Sequence, residues 1–128
     1  MNSNWTIKNN PIEILSTAFK NLYPDIKYNA YFDQNLNQYT NETEKIYGFT
    51  SFNENKDITI FIDITLCLYD AVEIFAHELA HVAVGDSHNH DEIWMKAFGN
   101  IYNEYIKVGS ELFPEMKEVT SNDISSSN

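Results

Sequence analysis

Cysteine is nearly absent from this chain. Cys67 stands alone, so no disulfide can form within the chain, and such usage fits a reducing compartment. Basic residues are scarce too: 8 Lys and Arg against 19 Asp and Glu give a formal net charge of −11. A surface of that sign repels phosphate backbones, which argues against direct nucleic-acid binding. No apolar run approaches the roughly 20 residues that a membrane helix needs. The opening MNSNWTIKNN lacks the basic-then-apolar design of a signal peptide. What is present is a globular composition, with 43% hydrophobic and 14% aromatic residues in a chain of 128. That suffices for one core and excludes disorder of the whole chain. These features predict a single small, acidic, cytoplasmic domain.

The pattern predicts a flexible segment over residues 1–10, a folded domain over 11–118 and a disordered tail over 119–128. Asn10-Pro11-Ile12-Glu13 reads as a helix start, with Asn as cap, Pro at the first helical position and Glu closing a capping box. Leu15, Ala18, Phe19 and Leu22 then form an apolar stripe, and Pro24 ends the helix. Ile26, Tyr28, Ala30 and Phe32 alternate with polar residues as in a strand with one buried face. The runs 46–52 and 58–62 are β-branched and aromatic, and the polar linker Asn53–Asp57 between them suits a hairpin turn. A small, mostly antiparallel sheet of three strands, or four, follows from this. Asp70 to Glu73 reads as a second capping box, opening a helix that runs to about Val84 before Gly85. Val72, Phe75, Ala76, Leu79, Ala80 and Ala83 make its buried face. A third helix is expected to bury Ile93, Trp94, Ala97, Phe98, Ile101, Tyr105 and Val108 and to stop at Gly109. The fold class is therefore α+β.

All four histidines fall between His77 and His90. Two of them stand in His77-Glu78-Leu79-Ala80-His81, an HExxH pattern inside the second predicted helix. Positions i and i+4 share a helix face, so both imidazoles can reach one ion in a geometry that suits tetrahedral zinc. Glu78 lies one residue round the helix and can stand beside a metal-bound water without ligating the metal. Zinc lowers the pKa of such a water to about 7, where a neighbouring carboxylate can take its proton. For the third ligand the candidates are His90, at the start of the third helix, His88 two residues earlier, and Glu104 within that helix. If all four histidines bound, the zinc would be structural.

The segment His77 to His81, a Gly-containing loop, then His90-Asp91-x-x-Trp94-x-Lys96 resembles the SprT-like and WLM group of small zincin metalloproteases. In that group HExxH is followed by a third ligand in an H-G-x-x-F/W segment. The stretch Ile58–Asp63 with Leu66 and Tyr69 resembles the strand and connector that precede the active-site helix there. The likeness covers about residues 46–107, and Asp91 replaces the group's usual Gly. It implies a minimal zincin-like fold, one Zn2+ on His77, His81 and His90, and Glu78 as general base. A metzincin pattern fits less well, because Gly85 and His88 come one residue late after His81. The ImmA/IrrE-like group, in which a distant acid completes HExxH, is a third comparison.

Among the remaining residues, Tyr102 and Tyr105 are candidate donors to the oxyanion of a tetrahedral intermediate, although at helical spacing such residues more often belong to the core. The strand Ile58–Ile62 is a candidate edge for an extended peptide. Cys67 reads as a small buried residue. Taken together the residues predict a zinc-dependent peptidase acting on a peptide or protein substrate. The alternative is a non-catalytic acidic binding module with a structural zinc.

Overall fold

Asn10 caps the first helix, α1 (Pro11–Leu22), by accepting a hydrogen bond from the Glu13 N–H at 2.9 Å. Glu13 reaches back one residue further than a capping box requires, to the N–H of Asn9 at 3.4 Å. The structure is a computed structural model and describes residues 9–53 and 57–113. The expected loose segment 1–8, the domain limit at 118 and the tail 119–128 lie outside the described residues. Ile14, Leu15, Ala18 and Phe19 are buried on α1. Leu22, expected in the stripe, is exposed. At the end of the helix Tyr23 takes the core side instead, its ring 4.9 Å from that of Phe19.

Three strands follow: β1 (Asn29–Asp33), β2 (Gly48–Phe52) and β3 (Ile58–Asp63), in the order β1-β3-β2. The sheet is mixed rather than mostly antiparallel. β2 and β3 form the expected antiparallel hairpin, closed by the Asn53 N–H donating to the Asp57 carbonyl at 3.0 Å. β1 instead lies on the far side of β3 and runs parallel to it. A strand pattern reports which residues alternate but not which neighbour a strand will take, and the long connection from Asp33 to Gly48 leaves β1 free to cross. The expected buried face of the first strand is only half realised. Ile26 and Tyr28 pack against the core, but Ala30 and Phe32 are exposed. Their register sets them beside Ile60 and Ile62, yet α2 (Leu68–Val84) lies across β2 and β3 and leaves the edge strand uncovered.

β3 is the buried centre of the sheet, with Ile60 and Ile62 facing the helices. It ends at Asp63, 1% exposed, whose carboxylate accepts from the Thr65 N–H at 2.7 Å and hydroxyl at 2.6 Å and lies 3.7 Å from Lys45. These bonds, led by the Thr65 hydroxyl, hold Asp63 below the usual carboxylate range. α2 begins three residues before the predicted start: Cys67 is its cap residue in place of Asp70, which falls instead in the first turn, where a carboxylate favours the helix N-terminus. Cys67 is exposed rather than buried. Val72, Phe75, Ala76, Leu79 and Ala80 are buried as expected, joined by Ala71 and Val82, while Ala83 is half-buried.

α3 (Glu92–Leu112) passes through Gly109, where a stop was expected. Among the described residues Gly85 is the one glycine at positive φ, so α2 ends there and Gly109 stays helical, at a cost of about 1 kcal/mol relative to Ala. Trp94, Ala97, Ile101 and Val108 are buried and Phe98 and Tyr105 half-buried, but Ile93 is exposed, on the far side of the first turn. The three helices pack on one another, and the sheet packs on α2. The fold is α+β.

Candidate metal centre

The helical period of α2 sets His77 and His81 one turn apart on a single face, with Nε2 atoms 3.3 Å apart. The third imidazole comes from outside the helix. His90 has a positive φ of 59°, which turns the backbone immediately ahead of α3 and carries its Nε2 to 2.9 Å from that of His77. Asp91 secures this turn by capping α3, its Oδ1 accepting from the Trp94 N–H at 2.9 Å. Asp91 is thus a helix cap. The Trp94 ring packs on all three imidazoles, with centroids 4.8 Å from His77, 5.4 Å from His81 and 4.7 Å from His90.

One potential ligand atom from each of His77, His81 and His90 lies within 4.8 Å of the others. A metal ion bound tetrahedrally at about 2.0–2.1 Å from each nitrogen sets its ligands about 3.3 Å apart, near the 3.3 Å and 2.9 Å that separate His77 Nε2 from those of His81 and His90. Burial pushes His77 down to about 4, helped by repulsion from His81 and His90, and burial with the charge of His90 also lowers His81. At pH 7 both rings are neutral, which is the form that ligates metal. Three imidazole nitrogens converging at this distance can hold a metal ion.

Glu78 is only 6% exposed. Its Oε1 accepts from the Thr50 hydroxyl at 2.8 Å. Burial pushes its carboxyl up to about 7, opposed by that hydrogen bond. β2 approaches α2 closely here because residue 48 has no side chain. A Cβ at Gly48 would overlap Ile74 Cγ2, come within 3.3 Å of the Phe61 carbonyl and stand 3.4 Å from Glu78 Oε2. Neither Thr50 nor Gly48 was singled out from sequence. An isolated glycine inside the strand run 46–52 was the available signal, since such a residue often marks close backbone approach.

Gly48, Thr50, His77, Glu78, His81 and His90 line one open cleft of about 480 Å³. His88 also borders it, but its Nδ1 is turned to Asp91 Oδ2 at 2.8 Å. Glu104 accepts from Asn21 Nδ2 at 3.1 Å, tying α3 to α1. Tyr102 and Tyr105 line a separate groove of about 270 Å³ with Pro11, Leu68, Tyr69 and Val72, so the structure does not bring them to the cleft. β3 is not an edge, being paired on both sides. The strand with an unpaired edge at the cleft is β2, among the described residues. Among these residues, no helix is long and apolar enough to cross a membrane. Searches against protein-family profiles, curated proteins and solved structures return no match.

Proposed function

We propose that this chain is a zinc-dependent peptidase in which Glu78 acts as general base beside a centre formed by His77, His81 and His90. The observation that carries this reading is a buried carboxylate set next to three convergent imidazoles in one open cleft. Burying a carboxylate is costly, and among the described residues no cation offsets Glu78; its recorded partner is a hydroxyl. A catalytic site explains why such a group is kept. The resemblance of HExxH and the His90–Trp94 segment to the SprT-like and WLM zincins points the same way. The known role of SprT-like proteins on DNA-bound protein does not carry over, because this chain's charge of −11 opposes a phosphate backbone.

When bound, zinc supplies a Lewis acid that acidifies a water and polarises a carbonyl. The chain's own residues do the rest. His77, His81 and His90 present converging ring nitrogens, and Trp94 packs their rings in place. Glu78 takes a proton from the attacking water and can return it to the leaving amine. The oxygen not engaged by Thr50, Oε2, is the one free for this transfer. The open edge of β2 can pair with an extended substrate, aligning its carbonyl along the cleft. The test is Glu78→Gln on the zinc-loaded protein with dye-labelled, unfolded casein as substrate. The expected result is one zinc per chain retained and turnover lost by at least about 100-fold. Undiminished turnover in the variant would refute the proposed role.

A further inference from the structure

We infer that Thr50 is a positioning residue that holds the Glu78 carboxylate by one oxygen and leaves the other free for proton transfer. This inference rests on the peptidase reading above and names a part of that site which HExxH does not contain.

Glutamate has three side-chain torsions, and burial alone does not decide which carboxylate oxygen is engaged and which is left open to the cleft. Thr50 provides a contact that does. A hydroxyl has a single proton to donate. Its oxygen lies 2.8 Å from Glu78 Oε1 but 3.5 Å from the Glu78 carbonyl, so the carboxylate is the true partner. Oε2 is left on the side of Gly48, 3.4 Å from where a Cβ of that residue would stand. Gly48 and Thr50 are two apart on β2 and so share one face. In register they sit opposite Ile62 and Ile60, on the inner side of the sheet. One face of one strand thus borders Oε2 and supplies the donor to Oε1.

The bond is not needed to attach β2 to the rest of the molecule. β2 is paired with β3 along its whole length, from Gly48 to Phe52, and Gly48 packs directly on Ile74 of α2. What Thr50 adds is control of where the carboxylate stands. A misplacement of a reacting group by about 1 Å can cost on the order of 100-fold in rate.

The experiment compares Thr50→Val, which keeps the shape and removes the donor, with Thr50→Ser, which keeps the donor. Both are made in the full-length chain, loaded with zinc and assayed on dye-labelled unfolded casein. Thr50→Val is expected to lower kcat by about 10- to 100-fold, with KM and zinc stoichiometry unchanged, and Thr50→Ser to restore at least half of the kcat. A Val variant with wild-type kcat, or a Ser variant as slow as Val, overturns the inference. Crystal structures of the zinc-loaded proteins give a readout that needs no turnover. The Glu78 carboxylate should be displaced in Thr50→Val and in place in Thr50→Ser; an unmoved carboxylate in Thr50→Val overturns the inference as well. Wild type and Glu78→Gln run alongside separate the two readings. If those two cleave equally, or neither cleaves, the peptidase assignment fails, while the position of the carboxylate still decides the role of Thr50.

Discussion

His88 and Asp91 face each other across the turn that leads into α3, with Nδ1 and Oδ2 2.8 Å apart. The same carboxylate uses its other oxygen to cap the helix. His88 is therefore bound up with the support of the turn, while His90, between them in sequence, points its Nε2 at His77.

The two histidines should respond differently to removal. His90→Ala is expected to weaken zinc binding by more than about 100-fold, because one of three converging nitrogens is lost. His88→Ala loses only a contact to the capping residue and should cost about tenfold or less. Competition against a chromophoric zinc chelator measures both. Equal losses, or the larger loss at position 88, would move the third ligand away from His90.

Gly48 tests how tightly strand and helix are apposed. Gly48→Ala is expected to destabilise the protein by about 1–3 kcal/mol, the usual cost of overpacking. Its added methyl group meets Ile74 Cγ2 first. Ile74→Ala removes that atom, so the double variant should lose less than the sum of the singles. Urea unfolding of the four proteins gives the coupling. Strict additivity would show that the strand relieves the clash by moving elsewhere.

The cluster also predicts how stability changes with pH when metal is chelated. His77, lowered to about 4 from 6.5, binds fewer protons folded than unfolded. Its contribution is present above 6.5 and is lost as pH falls toward 4. His81 acts in the same direction. Glu78, raised to about 7 from 4.5, does the reverse: the folded state holds a proton that the unfolded chain gives up, so stability falls as pH rises from 4.5 to 7. Between 4.5 and 6.5 these effects oppose one another. Above 7 the histidines are neutral in both states, and what is left is the cost of ionising a buried Glu78. Glu78→Gln should therefore be more stable than wild type at pH 8 by up to about 3 kcal/mol, with the gap closing as pH falls to 5. Denaturant unfolding in a chelator at both pH values checks this, and a gap independent of pH would contradict the burial effect.

Much of the candidate site was legible because its signals are local. A helix repeats every 3.6 residues whatever it packs against, so His77 and His81 share a face and Glu78 sits beside it from spacing alone. The caps at Asn10 and the stop at Gly85 are local for the same reason, since they satisfy backbone groups within a few residues. The α+β class followed from the change between helical and alternating periods.

What the tertiary structure decided is whatever depends on neighbours far along the chain. Strand periodicity fixes which face each side chain takes but not which strand lies alongside, so β3 rather than an outer strand became the sheet centre and β2 the open edge at the cleft. Helical spacing made Leu22 and Ile93 eligible for burial, but the limits of the packed core left both exposed. Thr50 and Glu78 stand 28 positions apart. No periodicity links them; they meet because β2 crosses α2 at a glycine small enough to let it near. The sequence by itself determined the chemical groups and their order along one helix. The distances between those groups and the rest of the site are properties of packing, which is settled only when the whole chain has closed around its core.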